Sequence, residues 1–271
     1  MPEPWILILL AAVLAAGFYL GARALLEPQR PEFNRYSLPP EAEGDGGTPL
    51  RILFFSDYHH PLNHLPLEAL YAYISKSSPD AVVFGGDMAS SAKDTAEGQQ
   101  LAERLAAYCR EDAIPYIAVR GNHDDALEEA SGYPLLRNQH YILRAADERP
   151  WLLIGLEDIR LGRPDFDGAL NSAHPASPLD IPARDIPPSR RIVLAHNPDT
   201  VLTLPENEAR FCLSGHFHGG QIKLPGKLEY MMLRSEVMCR CGLTDGVLPV
   251  RGFWHFISRG WGRSSSLFVF L

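Results

Sequence analysis

The chain has 271 residues, 46% hydrophobic and 21% charged, and its 33 acidic against 25 basic side chains give a formal net charge of −8. These are the proportions of a globular chain long enough for one sizeable core, and they exclude a low-complexity or collagen-like polymer. The acidic balance argues against a nucleic-acid partner, whose phosphate backbone selects a basic footprint; an anionic substrate stays open, because bound cations override the charge of their own site.

Cys109, Cys212, Cys239 and Cys241 are too few for a disulfide framework. The lone Cys239-x-Cys241 lacks the companions a zinc site needs.

Residues 4–22 carry no charged side chain. That is close to the roughly 20 residues that cross a bilayer core. Trp5 and Tyr19 fall near its ends, where interfacial aromatics sit. A single transmembrane helix is therefore expected, within an N-terminal anchor over residues 1–26. Arg23, Arg30 and Arg35 follow it, and Glu3 is the only charged side chain before it. The positive-inside tendency then puts the rest of the chain in the cytoplasm, as a single-pass protein of the cytoplasmic membrane. The competing reading is a cleaved export signal ending at Ala22-Arg23-Ala24, with a periplasmic domain; the missing positive n-region argues against it.

Residues 27–49 are rich in Pro, Gly and acids and read as a linker. A catalytic domain is expected over 50–271. Residues 51–56 (RILFFS) have the pattern of a buried strand, and 66–75 carry Leu67, Leu70, Tyr71 and Ile74 at helical spacing. A strand is expected at 81–84, a helix at 93–110 and a strand at 114–119. Further strands are expected at 151–156, 191–195, 211–214, 253–258 and 267–270. Strands alternating with helices early, then strands in succession, predict an α/β fold with mixed sheets.

Polar, metal-competent residues fall just past these strands, where α/β folds gather their ligand sites. RILFFS is followed by Asp57, Tyr58 and His59, and AVVFGG by Asp87. IPYIAVR precedes Gly121-Asn122-His123-Asp124, RIVLA precedes His196, and FCLS precedes Gly215-His216-Phe217-His218-Gly219-Gly220-Gln221. Carboxylate, amide oxygen and imidazole are the donors that hard and borderline divalent cations select. Singly, each piece has an ordinary explanation: a turn, a helix cap, a core histidine. Five strand ends bearing such residues in one order point to a shared site.

The ordered set D-Y-H, G-G-D, G-N-H-D, A-H and G-H-F-H resembles the calcineurin-like metallophosphoesterase superfamily over about residues 51–262. The longer G-H-F-H-G-G-Q-I, the S-R-G-W-G at 258–262 and the apolar N-terminus resemble a membrane-associated bacterial branch. That branch includes enzymes similar to the UDP-2,3-diacylglucosamine pyrophosphatases. The resemblance implies a four-layer α-β-β-α sandwich of two mixed sheets and, in the bacterial setting, residence at the inner membrane. It implies two divalent metal ions, with manganese expected and iron or zinc also suited to the donor set. One ion would be held by Asp57, His59 and His218, the other by Asn122, His196 and His216, with Asp87 bridging them. His123 would face the phosphate and protonate the leaving oxygen, and Asp124 would orient His123. A hydroxide activated by the two metals would then cleave phosphodiester or pyrophosphate bonds. Where the family often has a second acid three residues after the bridging Asp, this chain has Ser90, which puts the support behind the ligands in question. His60 has no role in the pattern and is expected at the rim.

Residues 225–249 mix Leu, Met and Tyr with Lys227, Arg234 and Arg240. This is ordinary packing over the site or an apolar, basic lip for a lipid-linked phosphate. The expected partners are a phosphorylated small-molecule or lipid substrate and the membrane. Two other readings stay open: a tethered general phosphomonoesterase or protein phosphatase, and a metal-binding pseudoenzyme.

Overall fold

The computed structural model describes residues 4–26, 33–38, 49–63, 66–128, 132–219, 235–261 and 265–270, without the side chains at 16, 20–26, 38 and 265–270. In chain order the elements are α1 (Pro4–Leu26), β1 (Phe33–Leu38), β2 (Leu50–Phe55), α2 (Leu67–Ser77), β3 (Ala81–Phe84), α3 (Thr95–Glu111), β4 (Tyr116–Val119), β5 (Leu135–Leu136), β6 (Gln139–Arg144) and β7 (Pro150–Gly155). There follow α4 (Phe166–Asn171), β8 (Arg191–Leu194), β9 (Phe211–Ser214), α5 (Val237–Arg240), β10 (Gly246–Val250), β11 (Phe253–Ile257) and β12 (Ser265–Phe270), with short 3-10 turns between.

Among the described residues the strands form two six-stranded mixed sheets, ordered β1-β12-β2-β3-β4-β5 and β10-β11-β9-β8-β7-β6. In the first, β2, β3, β4 and β5 run parallel, and β12 lies antiparallel to β2. In the second, β11, β9, β8 and β7 run parallel, with β10 and β6 antiparallel at the edges. The parallel strands are mostly apolar because both faces are covered. Leu50, Ile52 and Phe54 of β2 meet Leu153, Ile192, Leu194, Leu213 and Phe256 of the second sheet in one buried cluster. Leu53 and Phe55, on the other face of β2, pack with Leu70 and Ile74 of α2 and Leu105 and Cys109 of α3. The outer face of the second sheet, with Ile154, Val193 and Cys212, is covered by Phe166 and Leu170 of α4, Val201, and Met238 of α5. Truncating a side chain as enclosed as Phe54 to Ala costs about 3–5 kcal/mol.

The expected elements are present with shifted ends. The strand expected at 114–119 begins at Tyr116 because Pro115 has no N–H to pair; the Pro115 carbonyl still accepts from the Val82 amide at 2.9 Å. The helix expected at 93–110 is split into a 3-10 turn, Ala92–Asp94, and α3. The stretch expected as linker holds β1, which pairs in parallel with β12 from Phe33 opposite Ser265 to Leu38 opposite Phe270. The Pro- and Gly-rich flanks concealed it. The four cysteines are free, and burial pushes the thiols of Cys109 and Cys212 up to about 12.

The expected N-terminal helix is present, but its reading as a membrane span is not supported. Helix α1 covers the expected segment and exposes Trp5, Ile8, Leu14 and Phe18. Among the described residues, however, no helix is long and apolar enough to cross a membrane. Within α1 the side chains at 16 and 20–26 are not described.

Candidate metal centre

The carboxyl ends of β2, β3 and β4 in one sheet and of β8 and β9 in the other turn toward a common place. The turns are unusual. Asp57, His59, Asp87, His216 and His218 all have φ between 52° and 69°, the left-handed region that side chains other than glycine seldom enter. Such backbone persists only where surrounding bonds enforce it, and those bonds are present. Asp57 N donates to Gly86 O at 2.8 Å and His59 N to Asp87 O at 3.0 Å, lacing the β2 loop to the β3 loop. Across the two sheets, His216 N donates to the Asp57 carboxylate at 3.0 and 3.2 Å. His123 N donates to Asp87 Oδ1 at 2.9 Å. Space is equally restrictive. A Cβ on Gly86, at φ 97°, would lie 2.5 Å from the Gly121 amide, and one on Gly260, at φ 84°, 2.9 Å from the Asp57 Cβ. The latter gives the S-R-G segment a reason to be glycine.

Two groups of side chains result, each with ligand atoms within 4.8 Å of one another: Asp57, His59 and His218, and Asp87, His196 and His216. In the first, His59 Nε2 is 3.0 Å from His218 Nε2, and His218 Nε2 is 3.4 Å from Asp57 Oδ1. Asp87 joins the groups: its Oδ2 is 3.6 Å from His59 Nε2 and 3.3 Å from His196 Nε2.

The fit to cations can be tested on these distances. Metal bonds of 2.0–2.2 Å place neighbouring ligand atoms about 3.0–3.5 Å apart, from octahedral to tetrahedral angles. The separations here are of that size. His196 Nε2 and Asn122 Oδ1 are also buried with no hydrogen-bond partner among the described residues. Although His196 Nε2 stands 3.3 Å from Asp87 Oδ2, the two are close without hydrogen-bond alignment. Buried polar atoms left this way normally cost about 1–3 kcal/mol each; a cation satisfies both. The residues present fit two divalent ions.

The electrostatics agree. Burial pushes the Asp87 carboxyl upward, but the His196 and His59 imidazoles and the His123 amide outweigh it and hold Asp87 well below the usual carboxylate range. Burial opposes a charge on His196, yet Asp87 outweighs it and raises His196 well above the ordinary histidine value. Asp87 and His196 thus shift each other in opposite directions, each favouring the other's charged form. His218 is lowered to about 4 and His216 is lowered, both chiefly by burial. Neutral imidazoles are what metal coordination requires.

Of the residues expected at the site, Asp57, His59, Asp87, His196, His216 and His218 meet in these groups. Asn122 and His123 lie in the loop after β4, whose His123 amide donates to Asp87 Oδ1. The His123 side chain is exposed, with its ring 5.3 Å from that of His59. Asp124 behaves differently from expectation: it is fully buried and both its carboxylate oxygens go to backbone amides. It accepts from Asp87 N at 2.6 Å, Met88 N at 3.0 Å, Ala89 N at 3.3 Å and Gly121 N at 3.0 Å. It ties the Asp87 loop to the Asn122 loop rather than gripping the His123 ring. Burial, then the charge of Asp87, pushes it up to about 7. Ser90, in place of the family's second acid, donates from Oγ to His59 O at 2.7 Å and so supports the His59 turn. His60 pairs with Glu97 at 3.1 Å on the rim, as expected.

Two residues were missed. Glu236 is buried, with Oε1 3.1 Å from His216 Nε2. Asp158, just past the end of β7, is buried with Oδ2 unpartnered among the described residues, and its charge adds to the rise of His196. Like the site residues after the other strands, Asp158 follows the carboxyl end of a buried strand, β7. Residues 225–234, the first part of the expected lip, lie outside the described residues.

Two layered mixed sheets with histidines and aspartates gathered at strand ends define a metal-dependent hydrolase. Residues 50–220 match the sequence profile of the calcineurin-like phosphoesterases. The chain is 31% identical over 234 residues to the uncharacterized metallophosphoesterase YkuE of Bacillus subtilis (strain 168), covering 80% of this chain and 75% of that one. It is 27% identical over 228 residues to the uncharacterized metallophosphoesterase YkoQ of the same organism, covering 79% and 77%. It is 27% identical over 231 residues to the phosphodiesterase YaeI of Escherichia coli (strain K12), again covering 79% and 77%. The chain belongs to the calcineurin-like phosphoesterase family and is a metallophosphoesterase.

Proposed function

We propose that the protein hydrolyses phosphodiester or pyrophosphate bonds at a dinuclear centre, on a lipid-linked or nucleotide-sugar-lipid substrate presented at a membrane. The observation that carries the dinuclear reading is the position of Asp87 Oδ2, within 3.6 Å of His59 and 3.3 Å of His196, one from each ligand group. In this reading Asp57, His59 and His218 hold one ion, Asn122, His196 and His216 the other, and Asp87 both; manganese is the expected metal. When bound, the ions supply Lewis-acid stabilisation of the phosphoryl oxygens and a water acidified toward neutrality. The chain's own part is to keep the His216 and His218 imidazoles neutral, to hold Asp87 ionised and to present His123 from the exposed side. His123 donates a proton to the leaving oxygen. Asp124 keeps the Asp87 and Asn122 loops in register, so it acts on His123 only through the backbone. The four-layer order, helix on sheet on sheet on helix, belongs to the same reading and rests on the three apolar clusters.

The preference for diesters draws on the name of the relative YaeI. The membrane setting draws on the charge-free stretch at 4–22 and on the exposed apolar side chains of α1. We place the catalytic domain on the cytoplasmic side of a single-pass anchor, on the strength of Arg23, Arg30 and Arg35; a C-terminal reporter active only in the periplasm would contradict that side. The substrate assignment is tested with full-length protein reconstituted with manganese. It is offered bis-p-nitrophenyl phosphate, p-nitrophenyl phosphate and a pyrophosphate-linked lipid in vesicles. Diester and lipid pyrophosphate are expected to turn over faster than the monoester. A monoester rate far above both would replace this reading with a general phosphatase.

A further inference from the structure

We propose that Glu236 is a positioning residue for the buried cation: it accepts a hydrogen bond from Nε2–H of His216, which leaves Nδ1 of that ring free for the metal. The inference rests on the dinuclear reading above. Its geometry is a chain of three side chains. His216 Nε2 lies 3.1 Å from Glu236 Oε1, and Arg160 Nη2 donates to the same oxygen at 2.6 Å. Ser235 N donates to Glu236 Oε2 at 3.1 Å, so the carboxylate has a partner on each oxygen. The His216 and Glu236 side chains are only 5% and 4% exposed, so water does not compete for the bond. A ligating imidazole must offer one nitrogen unprotonated, and the bond made by the other nitrogen decides which.

The neighbouring ligand follows the same rule with the ring reversed. His196 Nδ1 lies 2.8 Å from Gly85 O, a carbonyl that can only accept, so Nδ1 carries the proton and Nε2 is the orphaned atom facing Asp87. Glu236 does for His216 what a main-chain carbonyl does for His196. Its own position is set from the loop that carries His196. Asp199 accepts from Val237 N and from Met238 N at 2.9 Å, fixing the chain just after Glu236 to the turn after β8. Both histidines of the buried group are thus oriented by partners built on, or tied to, the walls of the same cleft.

Metal-free full-length protein titrated with manganese by equilibrium dialysis tests this, alongside thermal unfolding of the metal-free protein. Wild type is expected to take up two ions. Glu236→Ala is expected to weaken one of them about 10–100-fold while the other binds as before and the metal-free unfolding temperature stays close to wild type. Glu236→Gln keeps an accepting oxygen and is expected to restore most of that affinity; Arg160→Ala is expected to weaken the same ion by less than Glu236→Ala. Wild-type affinity for both ions in Glu236→Ala overturns the proposal. So does equal weakening of both ions with a lower metal-free unfolding temperature, which would mark a merely structural role. A Gln variant as damaged as the Ala variant would make Glu236 a metal ligand itself and also overturn it. Uptake of fewer than two ions by wild type would instead defeat the dinuclear reading.

Discussion

The two ligand groups share Asp87 but are built differently. In the group of Asp57, His59 and His218 the imidazoles are 18% and 16% exposed, and their Nε2 atoms face each other at 3.0 Å. In the group of Asp87, His196 and His216 the imidazoles are 0% and 5% exposed, and each has one nitrogen against a fixed partner, Gly85 O or Glu236. The open group is organised by the turns after β2 and β9, the closed group by loops of both sheets and by the segment leading into α5. One position is open to solvent, the other enclosed. The difference comes from second partners rather than from ligand chemistry, since both groups use histidine and aspartate.

The sharpest break of this comparison is at the shared residue. Asp87→Ala should abolish phosphodiester hydrolysis and leave neither ion held at wild-type affinity; loss of one ion alone would make the groups independent. Next, His123→Ala should lower kcat about 10²–10⁴-fold, the usual yield of a positioned general acid, with metal content unchanged by elemental analysis. Metal loss in that variant would move His123 into the ligand set. A smaller effect distinguishes the groups by rate: dialysis against a chelator should remove the two ions in separate phases, the first from the open group. Asp57→Asn should then abolish the fast phase and keep the slow one.

The smallest effect is on stability. Burial holds the His255 imidazole down to about 3, below its unfolded value of about 6.5. Between those values the unfolded chain binds the extra proton, so this contribution is complete above pH 6.5 and is lost as the pH falls. At pH 5 it removes roughly 2 kcal/mol. Denaturant unfolding of wild type and His255→Gln at pH 7 and pH 5 should show the variant losing less on acidification. An equal loss would mean His255 is not the group that titrates.

Most of the centre could be read from the sequence because its ligands follow strands buried on both faces. Such strands are unbroken apolar runs, and the first polar residues after them mark the carboxyl end. Asp57, Asp87, Asn122, His196 and His216 were all located that way. Glu236 was not, because it has no strand before it and reaches His216 through a fold in the chain that no spacing encodes. Asp124 was expected to orient His123, and its carboxylate accepts from backbone amides instead. The family resemblance implied His123, whereas the acid is buried among the amides of residues 87–89 and 121. β1 escaped notice because Phe33–Leu38 lies between Pro-rich flanks and pairs with the far end of the chain. The edge strands β6 and β10 also escaped: β10 is part-exposed, and the apolar run of β6 is short and bounded by Gln139, His140 and Arg144.

The central claim is that Asp87 serves two cations at once, and counting bound metal tests it most directly. Native mass spectrometry of the manganese-loaded full-length chain should find two ions per wild-type protein and none retained by Asp87→Ala under the same conditions. A single ion in wild type, or two in the variant, would contradict the account.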